Sequence, residues 1–313
     1  MKVRAILNPH AGLGARRALE DVHRGRPSWK DLEVTITTGP GDAVELAREA
    51  VAAGTELVLA VGGDGTVNEA ARGLLGSGVP LGIVPVGSGN GLARALRIPR
   101  SPARALAALE NAVVRPIDVG TVNGVPFLNV AGVGFDALVG WAFHRAGRDG
   151  GRRGILTYIR IGLALLRSYQ PTAVRLEAAG QVVEGRPFVV IFANGRQYGG
   201  GAVVNPGARL DDGRFEVVVF EESSNLRLLA NAPRLFTGGI ERARGYRRIE
   251  ATAAVLTAET PMEHHRDGEP EPGVRRLEIG LLPRALPLLV PRTTVEDRTG
   301  PFVRESGAPR SSP

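Results

Sequence analysis

The stretch Gly62-Gly63-Asp64-Gly65-Thr66-Val67-Asn68-Glu69 combines a tight glycine turn, a carboxylate and a helix start within eight residues. Glycines where a strand passes into a helix let the main chain come close to a bound anion, whose charge the open N–H groups of the helix start favour. The stretch is therefore a candidate phosphate cradle. Asp64 sharpens that reading, because a negative charge beside phosphates makes sense chiefly when a metal or a substrate hydroxyl lies between them. Neither standard nucleotide loop is present: no Lys-Ser/Thr pair follows the glycines, and the G-x-G-x-x-G spacing is missing. Two further acidic clusters, Asp267-Gly268-Glu269 and Leu210-Asp211-Asp212-Gly213-Arg214-Phe215, read on their own as polar turns. The histidines suggest no metal site, since His264-His265 are adjacent rather than at i, i+4, and His23 and His144 have no obvious partners.

A cradle of this kind needs a strand before it and a helix after it. Glu56 to Val61 is a continuous apolar run suited to a strand buried on both faces of a parallel sheet, and Asn68 to Leu75 is helical in composition. Around them, residues 3–118 alternate strand and helix signals: strands over 3–7, 32–37 and 81–86, and a helix over 15–22. Asp42 with Glu45 has the capping-box spacing, Gly54 closes that helix, and Ser101-Pro102 opens another. The alternation predicts an α/β domain with a mostly parallel sheet, whose ligands bind beyond the carboxyl ends of the strands. After Asp118 the texture changes. Asn123-Gly124 marks a hairpin, strands are expected over 173–177, 188–193, 215–220, 251–257 and 276–281, and one helix over 156–168 interrupts them. This predicts an antiparallel, sandwich-like β-rich second domain. A last strand over 285–290 follows Pro283, and the composition from Thr293 onward predicts a mobile tail.

Length and composition narrow the function classes. The 313 residues suffice for two domains, and with Cys 0 no disulfide, zinc-thiolate or cysteine nucleophile exists. The N-terminus reads as a strand rather than a secretory signal, and no apolar run approaches the ~20 residues of a membrane span, so a cytoplasmic protein is expected. A net charge of +7 favours acidic partners such as nucleotides or anionic lipid headgroups. Aromatic residues are only 5%, too few for the stacking platform that single-stranded nucleic acid requires, so no nucleic-acid partner is expected.

Taken in order, the motifs resemble the diacylglycerol kinase catalytic domain superfamily of bacterial lipid kinases, sphingosine kinases and ceramide kinases. Gly62 to Asn68 looks like its GGDGTxN signature. Asn8-Pro9-His10-Ala11-Gly12, Pro85 to Asn90, Asp118-Val119-Gly120, Asn129 to Asp136, Leu210 to Gly213 and Asp267 to Glu269 match in sequence order, covering roughly residues 3–290. The resemblance implies an N-terminal α/β nucleotide-binding domain over 1–120, rejoined by a returning segment at 284–295, and a β-rich lipid domain over 121–283, with the active site in the cleft between. Residues 296–313 would then be a flexible tail. It implies ATP contacts from Asn8, Thr37, Gly62, Gly63, Asp64, Gly65, Thr66, Val67, Asn68 and Ser88, and catalytic roles for Asp64, Asp267 and Glu269. Glu269 is slightly favoured as the base for the acceptor hydroxyl, with Asp267 holding nucleotide, magnesium or substrate. A structural Mg2+ would be held by Asp212 and by the backbone carbonyls of Arg209 and Arg214, an oxygen-only set that suits a hard cation. Asp118 would lie close to the catalytic carboxylates.

The implied partner is a lipid at the membrane surface, met by peripheral association at the inner face, with room for a homodimer. The apolar residues Trp141, Phe143, Ile155, Leu156, Tyr158, Ile159, Leu163, Leu165 and Leu166, with Arg145, Arg148, Arg152, Arg153 and Arg160 among them, would face lipid and headgroup. Gly91 after Asn90 is closer to the sphingosine and ceramide kinase form than to the bacterial Asn-Asp form, which leaves the acceptor lipid open. Two other readings share part of the pattern: a NAD kinase, which also carries GGDGT, and a non-catalytic lipid- or nucleotide-binding regulator on the same fold.

Overall fold

The expected first strand forms over Lys2–Leu7 (β1), followed by Ala15–His23 (α1), Asp31–Ile36 (β2), Asp42–Ala52 (α2), Leu57–Gly62 (β3), Asp64–Leu74 (α3), Leu81–Pro85 (β4), Gly91–Ala95 (α4) and Pro102–Glu110 (α5). This computed structural model describes residues 1–12, 15–23, 29, 31–148, 155–221 and 224–303. β2, β1, β3 and β4 lie side by side in parallel, so their carboxyl ends, and the loops that follow them, share one edge. All of β3 is buried, as a continuous apolar run predicts for a strand covered on both faces.

The second half continues with Ala112–Val122 (β5), Val125–Phe127 (β6), Val130–Gly134 (β7), Phe135–Arg148 (α6), Ile155–Leu166 (α7), Val174–Ala178 (β8), Gln181–Gly185 (β9), Val189–Ala193 (β10) and Phe215–Phe220 (β11). It ends with Asn225–Asn231 (α8), Arg234–Thr237 (α9), Tyr246–Ala251 (β12), Ala254–Arg266 (β13), Glu269–Pro291 (β14) and Arg292–Glu296 (α10). The hairpin at Asn123-Gly124 is present, both residues having positive φ, +48° and +78°. Helices α6, α8 and α9 have no counterpart in the sequence expectations.

All strands join one sheet, ordered β12-β11-β10-β7-β13-β14-β4-β3-β1-β2 along its main path. β14 binds the two halves together: its first part pairs with β13, its last part with β5, and Leu288 aligns in parallel with Leu81 of β4. The strands expected over 276–281 and 285–290 are thus one strand. Pro283 is accommodated where the register with β5 shifts, between Leu282 and Leu286, a place where the missing N–H costs no ladder bond. One apolar core underlies the parallel sheet and a second fills the sandwich around Phe127, Phe192, Phe215 and Leu256.

Two expectations are corrected. Residues 293–303 of the expected tail are packed against the body: Thr294 Oγ1 donates to Leu96 O at 2.6 Å, Leu210 N to Pro301 O at 2.7 Å, and Val303 N to Asp211 Oδ1 at 2.6 Å. Phe302 is buried beneath the Arg115 guanidinium, 5.7 Å from its ring centre. The rest of that segment, 304–313, lies outside the described residues. The capping box at Asp42 also fails, because α2 begins at Asp42 with Gly41 ahead of it. Glu69 of α3 takes over the cap, accepting Gly41 N at 2.9 Å and Ala43 N at 3.2 Å. Asp42 instead binds the loop before it, through Thr38 and Gly39.

Candidate active site

Three loops leave the carboxyl ends of β1, β3 and β4 and lock together. Asn8 Nδ2 donates to Thr66 Oγ1 at 3.1 Å while Asn8 Oδ1 accepts His10 N at 2.9 Å. Gly63 and Gly87 meet so closely that a Cβ on Gly87 would stand 2.6 Å from Gly63 Cα, so position 87 has no room for a side chain. Thr37 is buried at the end of β2, its N–H donating to Leu7 O at 2.9 Å. Asp64 opens α3, and its Oδ1 accepts Gly91 N at 2.6 Å, tying the second loop to the third. Ser88 stands exposed at the tip of that third loop, and Asn68 is half-buried on the first turns of α3. Val67 departs from expectation. Its side chain is in the apolar core and its amide donates to Gly63 O at 3.1 Å, so neither is presented to a ligand.

The acceptor motif is a two-residue hairpin between β13 and β14. Asp267 and Gly268 have φ +50° and +86°, the pair of left-handed conformations that such a turn requires. Asp267 points inward, Oδ2 accepting Leu128 N at 2.6 Å and Oδ1 accepting Asn129 N at 2.8 Å and Val130 N at 3.0 Å. Burial pushes its carboxyl up and those three amides oppose the shift by stabilising the anion. These three bonds make Asp267 the anchor of the turn. Glu269 keeps an accessible face in the cleft and reaches the cradle: a Cβ on Gly65 would stand 2.9 Å from its Oε1. Its carboxyl is raised first by the surrounding protein, then by repulsion from Glu69 and Asp267. Asp64 is raised too, by desolvation ahead of the opposing Gly91 amide and the repulsion of Asp267. The two halves of the molecule thus bring Asp64, Asp267 and Glu269 into one cleft.

A cavity of about 780 Å³ opens from this cleft into the second half. One end is lined by Asp64, Ser88, Gly89, Asp267 and Gly268; Asp136, Tyr198 and His265 also line it, as do Arg94, Arg100, Asn129 and Asn231; most of the remaining wall is apolar, from α6, α7, β10, β11, α8 and α9. The size and lining suit an amphiphile with a small polar end. Phe143, Tyr158, Ile159, Leu163 and Leu166 line it as the apolar stretch predicts, whereas Trp141 does not; the side chains of Ile155 and Arg148, and residues Arg152 and Arg153, lie outside the described residues. At the rim, Leu156 of α7 and Leu226 of α8 are 74% and 77% exposed. Helices α8 and α9 escaped sequence reading because Asn225–Asn231 and Arg234–Thr237 are too short for a helical repeat to show. His265 escaped too, although it stands at the end of β13, two residues before Asp267 in the turn.

The turn at 210–214 is a separate place. Asp212 Oδ1 accepts Arg214 N at 3.3 Å and Oδ2 accepts Arg214 Nε at 3.1 Å; Arg214 also pairs with Glu250, and the Arg209 side chain binds Gly300 O and Phe302 O. Asp118 belongs here rather than beside Asp64, Asp267 and Glu269, its oxygens accepting Gly213 N at 2.7 Å and Arg284 N at 2.8 Å. Burial followed by repulsion from Asp212 raises Glu216 to about 7, and burial with the charges of Asp212 and Asp211 raises Asp118. Among the described residues no three His, Cys, Asp or Glu side chains gather as a metal cage. A cation at this turn would therefore rely on one carboxylate and main-chain oxygens.

The comparisons agree with this geometry. Residues 2–122 match the diacylglycerol kinase catalytic domain, and residues 129–290 match the YegS C-terminal NAD kinase beta sandwich-like domain. A diacylglycerol kinase of Mycobacterium tuberculosis is 33% identical over 312 residues, covering 93% of this chain and 96% of that protein. A solved structure from Bacillus anthracis str. Sterne, assigned to the diacylglycerol kinases, superposes with a TM-score of 0.78 at 26% identity over 93% of this chain and 96% of that one. An Archaeoglobus fulgidus NAD kinase solved with ATP superposes at 0.54 with 14% identity, covering 93% of this chain and 94% of that one, a likeness of fold alone.

Proposed function

Since the chain belongs to the diacylglycerol kinase catalytic-domain family, we propose that it moves the terminal phosphoryl group of ATP onto a hydroxyl of diacylglycerol or a related lipid. The carrying observation is that Glu269 stands against Gly65 of the glycine cradle, while its neighbour Gly268 and the cradle's Asp64 both line a large, mostly apolar cavity.

Nucleotide phosphates lie along the loop amides and the start of α3, flanked by Asn8, Thr37, Gly62, Gly63, Gly65, Thr66, Asn68 and Ser88. The lipid hydroxyl arrives from the cavity and loses its proton to Glu269, whose raised carboxyl makes it a stronger base than an ordinary glutamate. Asp64 is the carboxylate that would face magnesium-bound phosphates. Asp267 fixes the turn that carries Glu269. Magnesium, when bound, neutralises charge on the phosphates. The separate acidic turn fits a structural Mg2+ in the chemistry of its donors: Asp212 and the carbonyls of Arg209 and Arg214 are hard oxygens, and the mutual repulsion of Asp118, Asp211, Asp212 and Glu216 would be relieved by a cation.

Access to lipid is at a membrane surface. Among the described residues no helix is long and apolar enough to cross a membrane. Instead α7 and α8 present exposed leucines beside the cavity, and the segments 155–170 and 224–240 contain Arg160, Arg167, Arg227 and Arg234 with no acidic residue, which suits an anionic lipid surface.

The test is a thin-layer assay with γ-labelled ATP against diacylglycerol, ceramide, sphingosine, NAD and buffer. Labelled lipid phosphate is the expected product. Label on NAD alone, or nucleotide binding without transfer to any acceptor, would overturn the reading.

A further inference from the structure

The amide between the two acids of the acceptor turn is held by an imidazole. Gly268 N donates to His265 Nδ1 at 3.3 Å, and a ring nitrogen that accepts there leaves the ring proton on Nε2, which faces Asp136 Oδ2 at 3.0 Å. The same carboxylate oxygen accepts the Tyr198 hydroxyl at 2.6 Å, while Asp136 Oδ1 accepts Ala137 N at 2.7 Å. His265 is 2% exposed, so a lost partner here is not replaced cheaply by water. Gly132, opposite His265 in the β7–β13 ladder, makes room for the pair: a Cβ there would stand 2.0 Å from Asp136 Oδ2 and 2.7 Å from His265 Nε2. Asp136, Tyr198 and His265 are also wall of the cavity, just beyond the turn.

We infer that His265 is a positioning residue that couples the polar end of the cavity to the aim of Glu269. Asp267-Gly268 is the Asp-Gly pair favoured in a two-residue hairpin turn, and the groups that grip its two sides set how the turn, and Glu269 after it, is aimed. On one side the amides of Leu128, Asn129 and Val130 grip Asp267; on the other His265 grips Gly268, the residue from which Glu269 departs. A lipid whose polar end competes for Asp136 or Tyr198 acts on the turn through this ring. The kinetic consequences rest on the lipid kinase reading above; the hydrogen-bond chain does not.

Two substitutions separate the halves of the ring. Gln in place of His265 retains a donor long enough for Asp136 and leaves nothing at the Nδ1 position; Asn retains an acceptor near Gly268 and stops short of Asp136. The first measurement is amide hydrogen exchange at Gly268, which needs no substrate and so stands whether or not the kinase reading does. In H265Q, exchange at Gly268 rises about tenfold or more and kcat falls about tenfold, with KM for lipid and ATP unchanged, the size expected for one lost hydrogen bond. In H265N, exchange stays near wild type, kcat changes little and the lipid KM rises several-fold. Unaltered exchange at Gly268 in H265Q overturns the anchor. Equal kinetic losses in both variants, in proportion to a lowered Tm, overturn the positioning role in favour of a purely structural one. Should H265Q fold too poorly to assay, a wild-type lipid KM in H265N overturns the coupling by itself.

Discussion

Glu269 Oε1 lies 2.9 Å from where a Cβ of residue 65 would stand, so the carboxylate of the acceptor turn and the glycine cradle occupy adjoining space across the cleft. Gly65 is in the first turn of α3 with an ordinary negative φ, and the only atom a methyl group would meet is the far end of a flexible side chain. G65A is therefore expected to fold with an unchanged or slightly higher Tm, since Ala favours a helix by ~1 kcal/mol over Gly. Phosphoryl transfer should drop sharply because Glu269 is displaced. Full activity in G65A would remove Glu269 from the reaction centre.

The two acids of the turn should separate by what they lose. E269Q keeps the fold and lowers kcat by the ~10²–10⁴-fold typical of a lost general base, with ATP affinity nearly constant. D267N puts an NH2 group among three amide donors, a mismatch costing ~1–3 kcal/mol, so its first symptom is a lower Tm and activity falls with it. Melting curves and single-turnover rates on both variants decide the matter.

The rate should carry an acid limb above the usual glutamate range of about 4.3. Glu269 works as the anion and its folded pKa is raised, so the active form disappears as pH falls through that raised value. The stability contribution of the same group has the opposite sense. Between the unfolded and the raised folded pKa the native state binds more protons, so stability declines as pH rises through that window. A pH profile of kcat/KM for E269Q without the limb would assign it to this side chain.

Chelation should be felt through the 210–214 turn. Asp118 O accepts Asn194 Nδ2 at 2.9 Å, Asn194 Nδ2 also donates to Leu128 O at 2.7 Å, and Leu128 N holds Asp267. If Mg2+ ties the turn, EDTA lowers the Tm of the wild type and not that of Asp212→Ala, and activity follows. Identical melting with and without EDTA in the wild type would argue against a structural ion there.

Leu226 is exposed on α8 and lies outside the cavity lining. Leu226→Glu should weaken sedimentation with anionic vesicles while sparing turnover of a monomeric short-chain lipid. Wild-type binding itself should fall with salt, because exposed arginines contribute about 1 kcal/mol each near a charged surface and are screened over about 10 Å at 0.1 M. Equal vesicle binding by the variant would place the docking surface elsewhere.

The sequence by itself determined the parallel strand and helix alternation of the first half, the hairpin at Asn123-Gly124 and the two motifs that meet in the cleft. Each of these signals is contained in one contiguous stretch: an apolar run, a glycine junction, or a pair of turn residues with positive φ. Tertiary structure alone decided which groups those stretches meet. Glu69 rather than Glu45 serves the amides at the start of α2, because α3 packs against α2 and brings a distant carboxylate closer than a local one. The turn at 210–214 gathers Asp118 through Gly213 N and Val303 through Asp211, and the second contact packs a segment whose composition reads as a tail. Tyr198, Asp136 and His265 come from a loop, a helix and a strand, and a hydrogen bond between side chains that far apart in sequence leaves no periodicity to read. The short apolar helices α8 and α9 carry too few residues for a helical repeat to declare itself, and only the cavity they enclose gives their leucines a purpose.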